Sequence, residues 1–96
     1  MPLLRIIKTV GEVLVIICDK DLLGKEFRQG EFRLHVSESF YMGEEASIER
    51  CISALNEATI ANLVGSIVED AIKAGIIDPQ CVMRIQNVPH AQLVRI

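Results

Sequence analysis

From Asn56 to Gly75 the apolar residues recur at the spacing of a helix. At about 100° per residue, Ile60, Leu63, Val64, Ile67, Val68, Ala71 and Ala74 gather into one stripe, and Asn62, Ser66, Glu69 and Lys73 lie opposite. This pattern predicts one central helix, with Asn56 as N-cap and Glu57 in the first turn. Gly75 would follow its end, and Asp78-Pro79 would stop it continuing. Glu69 and Lys73 stand at i, i+4 in the order that supports a solvated face. Gly65 sits badly inside such a helix, where glycine costs about 1 kcal/mol relative to alanine. It predicts either close approach by a neighbour or a break into two short helices.

Elsewhere the pattern is that of strands. Leu3 to Lys8 and Glu12 to Cys18 read as a hairpin turning at Thr9-Val10-Gly11. Val13 to Cys18 is apolar at every position, which predicts a central strand covered on both faces. Asp19 to Gly30 is polar and turn-rich, with one helical turn over Asp21-Leu22-Leu23-Gly24. Phe32 to Val36 alternates, Phe32, Leu34 and Val36 facing one way and Arg33 and His35 the other. After a connection from Ser37 to Ala46, Glu45 to Leu55 has the apolar stripe of a shorter helix: Ile48, Cys51, Ile52 and Leu55. Cys81 to Ile85 reads as a strand, Asn87 to Gln92 as a polar loop and Leu93 to Ile96 as a last short strand.

The order β-β-β-α-α-β-β predicts an α+β fold. A mixed or antiparallel sheet of four to five strands would carry two helices on one face, in a single domain over 1–96. Half of the 96 residues are hydrophobic, and the mean hydropathy of +0.33 is high for so small a chain. That excess predicts either a dense core or apolar surface covered by a partner, and self-association as a homodimer is expected. The longest apolar run, Val13 to Cys18, is far short of a membrane span, and the first residues do not form a signal peptide. No membrane association and a cytoplasmic location are therefore expected.

A net charge of −3 weighs against generic nucleic-acid binding but permits a local basic patch. Cys18, Cys51 and Cys81 form no C-x-x-C and no zinc pattern with His35 and His90, and are expected to be plain buried thiols. No metal and no cofactor are expected, since phosphate-loop, dinucleotide and nucleophile-elbow motifs are absent.

Three places could carry chemistry. In the loop Asn87 to Gln92, Pro89 restricts the backbone around Asn87, His90 and Gln92, which are either ligand-binding groups or caps for loose backbone. Thr59 and Asn62, at the start of the predicted helix, could hold an anion or could merely satisfy the backbone. The segment from Lys25 to Tyr41 carries all four aromatic residues interleaved with Lys25, Arg28, Arg33 and His35. Tyr41 and its neighbours there could stack single-stranded RNA beside the cations, or form a core corner.

Several individual strings resemble a known family. They are Glu57 to Gly65 (EATIANLVG), Ala74 to Pro79 (AGIIDP) and Val88 to Gln92 (VPHAQ), supported by Gly11 to Val15, Leu23-Gly24-Lys25 and Phe40-Tyr41. In these the chain is similar, over nearly its whole length, to the archaeal small proteins grouped as domain of unknown function family 424. The resemblance implies a stand-alone archaeal cytosolic domain. It supplies no activity, substrate or cofactor, and an association with RNA or translation would fit it.

Three functions follow, in order. The first is a non-enzymatic binding or interaction module with RNA or a translation-associated protein as partner. The second is a small enzyme or ligand-binding protein in which His90 is the acid or base and Thr59, Asn62 or Gln92 orient the substrate. The third is a purely structural homodimer. Whether the protein is an enzyme is left open, with the balance toward no.

Overall fold

The computed structural model describes residues 1–95. Eight strands lie at Leu3–Thr9 (β1), Glu12–Cys18 (β2), Glu26–Gln29 (β3), Phe32–His35 (β4), Glu44–Glu45 (β5), Ile60–Val64 (β6), Met83–Ile85 (β7) and Val88–Val94 (β8). The helices are Glu38–Tyr41 (α1), Ile48–Glu57 (α2) and Ile67–Lys73 (α3), with 3-10 turns at Lys20–Leu22 and Pro79–Cys81. Among the described residues no helix is long and apolar enough to cross a membrane. A mixed six-stranded sheet has the order β5-β1-β2-β6-β8-β7, and β3-β4 forms a separate hairpin. The α+β class and the mixed sheet hold; the sheet has more strands than the expected four to five, and there are three helices instead of two.

β2 is the axis of the sheet. Its neighbours are β1, antiparallel through the Val10-Gly11 turn, and β6, parallel from Leu14↔Ile60 to Cys18↔Val64. Because both faces are covered, Val15, Ile16, Ile17 and Cys18 are all fully buried, as the unbroken apolar run requires. On one face Val15, Ile17, Ala61 and Leu63 pack against Cys51 and Leu55 of α2 and Ile67, Val68 and Ala71 of α3. On the other, Ile16, Cys18 and Val64 pack beneath Leu34, Val36 and Tyr41. The chain is therefore a three-layer structure with two helices, a sheet, and a small β-hairpin with α1.

The largest departure from expectation is the helix over Asn56 to Gly75. Asn56 and Glu57 are instead the last turn of α2, and Ile60 to Val64 is a strand. Only the segment from Ile67 onward is helical. A buried central strand is apolar on both faces, and over five residues such a run is indistinguishable from a helical stripe. Gly65 marks the boundary. Its φ is +100°, and a side chain there would collide with the carboxylate of Asp19. That carboxylate accepts from Ser66 N at 2.9 Å and Ser66 Oγ at 2.7 Å, so a residue from the end of β2 caps α3. The far end is as expected: Gly75, with φ +76°, closes α3 by donating to Ile72 O at 2.9 Å.

Smaller differences have similar causes. α2 starts at Ser47, whose Oγ accepts from Arg50 N at 3.1 Å, a few residues later than expected. Its C-terminal carbonyls at Leu55 and Ala58 receive the Arg95 guanidinium at 2.7 and 2.8 Å. Glu69 pairs with Arg84 at 2.6 Å, across to β7 instead of along the helix to Lys73. The stretch Asn87 to Gln92 is not a loop. Gln86 and Asn87, both at positive φ, form the whole turn between β7 and β8, and Val88 to Gln92 is strand. Two positive-φ residues in succession suit a tight hairpin turn, a role in which asparagine is at home. Leu93 and Val94 complete β8, while Ile96 lies outside the described residues.

Candidate functional site

The register of β6 and β8 brings together residues chosen for separate reasons. Asn62 pairs with Gln92 and Val64 with His90, antiparallel, so Asn62, His90 and Gln92 share one sheet face. It is the face turned away from α2 and α3, where α1 supplies a fourth member. Tyr41 Oη donates to Asn62 Oδ1 at 2.5 Å, and His90 Nε2 lies 3.2 Å from the same oxygen. An amide oxygen only accepts, so Nε2 carries the hydrogen, and burial keeps the imidazole neutral by lowering its pKa. His90 is thus held in one tautomer, with Nδ1 left as an acceptor. Burial also pushes the Tyr41 phenol up to about 12, so it stays a donor to Asn62 at neutral pH.

Beside this chain runs a cleft of about 440 Å³ between the β3–β4 hairpin and the β7–β8 pair, lined by Phe32, Arg33, Cys81, Met83, His90 and Gln92 among others. The hairpin is tied down at its tip, where Gln86 N donates to Gln29 Oε1 at 2.8 Å. Alternation along β4 places Phe32 and Leu34 on the side facing the sheet. Leu34 is buried there, whereas Phe32, at the tip, overhangs the cleft and remains 57% exposed. The exposed Phe32 was not foreseen, and its signal is its position next to the Gly30-Glu31 turn.

The basic candidates lie mainly on the outer face of the same hairpin. Arg28 and Arg33 stand directly across from one another, and Glu26 bridges them with contacts of 2.8 Å to each. The two guanidinium groups hold the Glu26 carboxyl below the usual carboxylate range. Lys25 and His35 are exposed at the base of the hairpin. Tyr41 is buried and packs edge-on to Phe40, ring centroids 5.0 Å apart, so its ring offers no open stacking face.

Thr59 and Asn87 stand apart from the cluster. Thr59 precedes β6; its Oγ1 accepts from Val13 N at 2.8 Å and donates to Glu12 at 2.6 Å, which fastens β6 to the start of β2. No helix begins there, so the anion site expected at a helix start has no basis. Asn87 is a turn residue. Cys81 lies exposed at the cleft rim, in contrast to the expected burial, while Cys18 and Cys51 are buried. Among the described residues no group of three His, Cys, Asp or Glu side chains converges as a metal set.

A second, wider depression of about 1010 Å³ lies at the ends of β2 and β6, lined by Asp19, Ser47, Ile48 and Ser66 among others. Of its polar groups, Asp19 is committed to Ser66 and Ser47 to the cap of α2. The cleft at His90 holds polar groups from two different registers of one strand, His90 and Gln92.

A family model described as protein of unknown function (DUF424) matches residues 7–96. The chain belongs to this family. A crystal structure of an uncharacterized conserved protein from Methanopyrus kandleri, an archaeal relative, is similar at 30% identity, covering 99% of this chain and 94% of that one, with a TM-score of 0.76. A comparison with curated proteins gives no match. Two of the strings by which the chain resembles the DUF424 family, Glu57 to Gly65 and Val88 to Gln92, are neighbours in the sheet, joined from Asn62↔Gln92 to Val64↔His90. They meet at Asn62, Gln92 and His90.

Proposed function

We propose that the protein is a binding module and that the cleft at His90 takes a base of single-stranded RNA. The observation that supports this reading most directly is Phe32, 57% exposed over a cleft that also holds His90 and Gln92. An exposed ring above polar, uncommitted side chains suits a flat heterocycle, which stacks on the one and hydrogen-bonds to the other. Charge supports the same place. From Lys25 to His35 three cations (Lys25, Arg28, Arg33) face two carboxylates (Glu26, Glu31), a net of +1 against −3 for the whole chain. A backbone phosphate at the rim would take Arg33 in exchange for its share of Glu26.

The test is fluorescence anisotropy of labelled single-stranded oligoribonucleotides at low salt. Phe32→Ala should abolish stacking, and Arg28→Ala with Arg33→Ala should weaken binding. If both arginines meet phosphate, affinity should fall with salt at a slope of roughly −1.4 on logarithmic axes. Absence of binding at low salt would remove the RNA reading.

A second reading rests on the chain Tyr41–Asn62–His90, in which neutral His90 would serve a small ligand as base or acceptor. Thermal-shift screening of small metabolites, with loss of the shift in His90→Gln, would favour it over RNA.

A further inference from the structure

Within the RNA reading, on which this step rests, the cleft carries a pattern of hydrogen-bonding groups specific enough to name a base. His90 Nε2–H is committed to Asn62 Oδ1, which leaves Nδ1 with a lone pair and no proton. Gln92 is two residues along the same strand, exposed and on the same face. Its amide offers one acceptor and two donors. Among the described residues neither His90 Nδ1 nor the Gln92 amide has a protein partner. Strand geometry puts the two Cα atoms roughly 7 Å apart.

We infer that His90 and Gln92 together select a base whose Watson–Crick edge carries an exocyclic amino group beside an unprotonated ring nitrogen, that is adenine or cytosine, against uracil. The amino group has two hydrogens. Gln92 takes one on its carbonyl oxygen and returns a hydrogen bond from its amide nitrogen to the ring nitrogen, the bidentate arrangement glutamine makes with such an edge. The second hydrogen goes to Nδ1 of His90. Uracil presents a carbonyl in place of the amino group, which would face the lone pair of Nδ1, and its ring N–H would meet the amide donor. Both contacts become repulsive, and donors and acceptors left unpaired once the base covers them are what give such sites their discrimination. Phe32 stacks on all bases alike and supplies affinity without choice.

The fixed tautomer is central to this assignment. A histidine free to move its proton could donate to uracil O4 as readily as it accepts from an amino group. Asn62, itself oriented by the Tyr41 hydroxyl at 2.5 Å, removes that freedom. Tyr41 and Asn62 are in this sense positioning residues, and they act on the base only through His90.

The experiment compares homopolymeric oligoribonucleotides of equal length, A, C and U, by competition against one labelled oligomer. Oligo(A) and oligo(C) should bind at least about fivefold more tightly than oligo(U), the least that one good bidentate contact confers. Replacing adenosine by inosine, which removes the amino group and protonates the ring nitrogen, should bring oligo(A) down to the level of oligo(U). Gln92→Leu, at an exposed position, should narrow the difference between A and U, because only the Nδ1 contact of His90 then discriminates. Equal affinities for A, C and U, or discrimination undiminished by Gln92→Leu, would overturn this assignment and leave the RNA reading standing. Failure of every oligomer to bind would overturn both.

Discussion

Asn62 and His90 are 28 residues apart in sequence, and the side-chain oxygen of the first fixes the proton of the second at 3.2 Å. The contact exists because β6 and β8 pair antiparallel, with His90 one register step diagonal to Asn62. It gives the sheet face opposite the helices a neutral, oriented imidazole. That imidazole titrates in a predictable way. Burial lowers the pKa of His90 below the value of about 6.5 that it has in the unfolded chain. Between those two values the unfolded state binds more protons than the folded one, so stability is full above about pH 6.5 and is lost as pH falls through the folded value. Urea midpoints at about pH 7.5 and about pH 5.5 should therefore differ more for the wild type than for His90→Gln. An equal difference in the two proteins would show that His90 is not buried as described.

Tyr41 is the chain's single tyrosine, which makes it easy to follow. Its absorbance titration should have a midpoint near 12, where burial pushes it, and not near the ordinary 10, provided the fold survives. The sign is opposite to that of His90. The folded state holds the phenolic proton longer, so stability falls as pH rises above about 10. Tyr41→Phe keeps the ring packed against Phe40 and removes only the bond to Asn62, at a cost of about 1–2 kcal/mol. A second consequence follows for His90. With one fewer donor on Asn62 Oδ1 the amide is less firmly oriented, and the His90 ring signals in NMR should broaden or shift.

Gly65 joins β6 to α3 at φ +100°, with the Asp19 carboxylate in the space a Cβ would occupy. Gly65→Ala should cost about 3 kcal/mol or more, because it adds left-handed backbone strain to a steric clash with the cap of α3. Gly11→Ala is the control. That residue has φ +83° with no atom near a built Cβ, so the backbone term acts alone and the loss should be smaller. Chemical denaturation of both variants separates the clash from the strain.

These same residues show what the sequence disclosed. The β1–β2 hairpin, the two-sided burial of β2, the α2 stripe and the stop at Gly75 are local or periodic signals, and the structure bears them out. β6 was hidden because Ile60, Leu63, Val64, Ile67 and Val68 match a helix as well as a buried strand followed by a helix, and only the pairing of β6 with β2 and β8 decides between them. Gly65 was the sign of that break. Pro89 made Val88 to Gln92 look like a loop, yet proline is tolerated in a strand where its missing N–H is not needed. Asn62, His90 and Gln92 could be picked as polar residues in individual strings. Their meeting could not, since it depends on strand register.

The thiols provide the last prediction, and it reports on the cleft directly. Cys18 and Cys51 are buried, and burial pushes each thiol up to about 11. Thiolate is the reactive form, so both should be inert in the folded protein at neutral pH. Cys81, in the 3-10 turn before β7, is exposed and lines the cleft with Phe32 and His90. An aromatic disulfide reagent should therefore titrate one thiol quickly in native protein and all three of the chain's cysteines after denaturation, and Cys81→Ser should abolish the fast phase. A base held under Phe32 would screen that thiol, so an oligoribonucleotide that binds the cleft should slow the fast phase in proportion to occupancy. Binding by anisotropy with no protection of Cys81 would place the RNA elsewhere, on the outer face of the hairpin at Arg28 and Arg33.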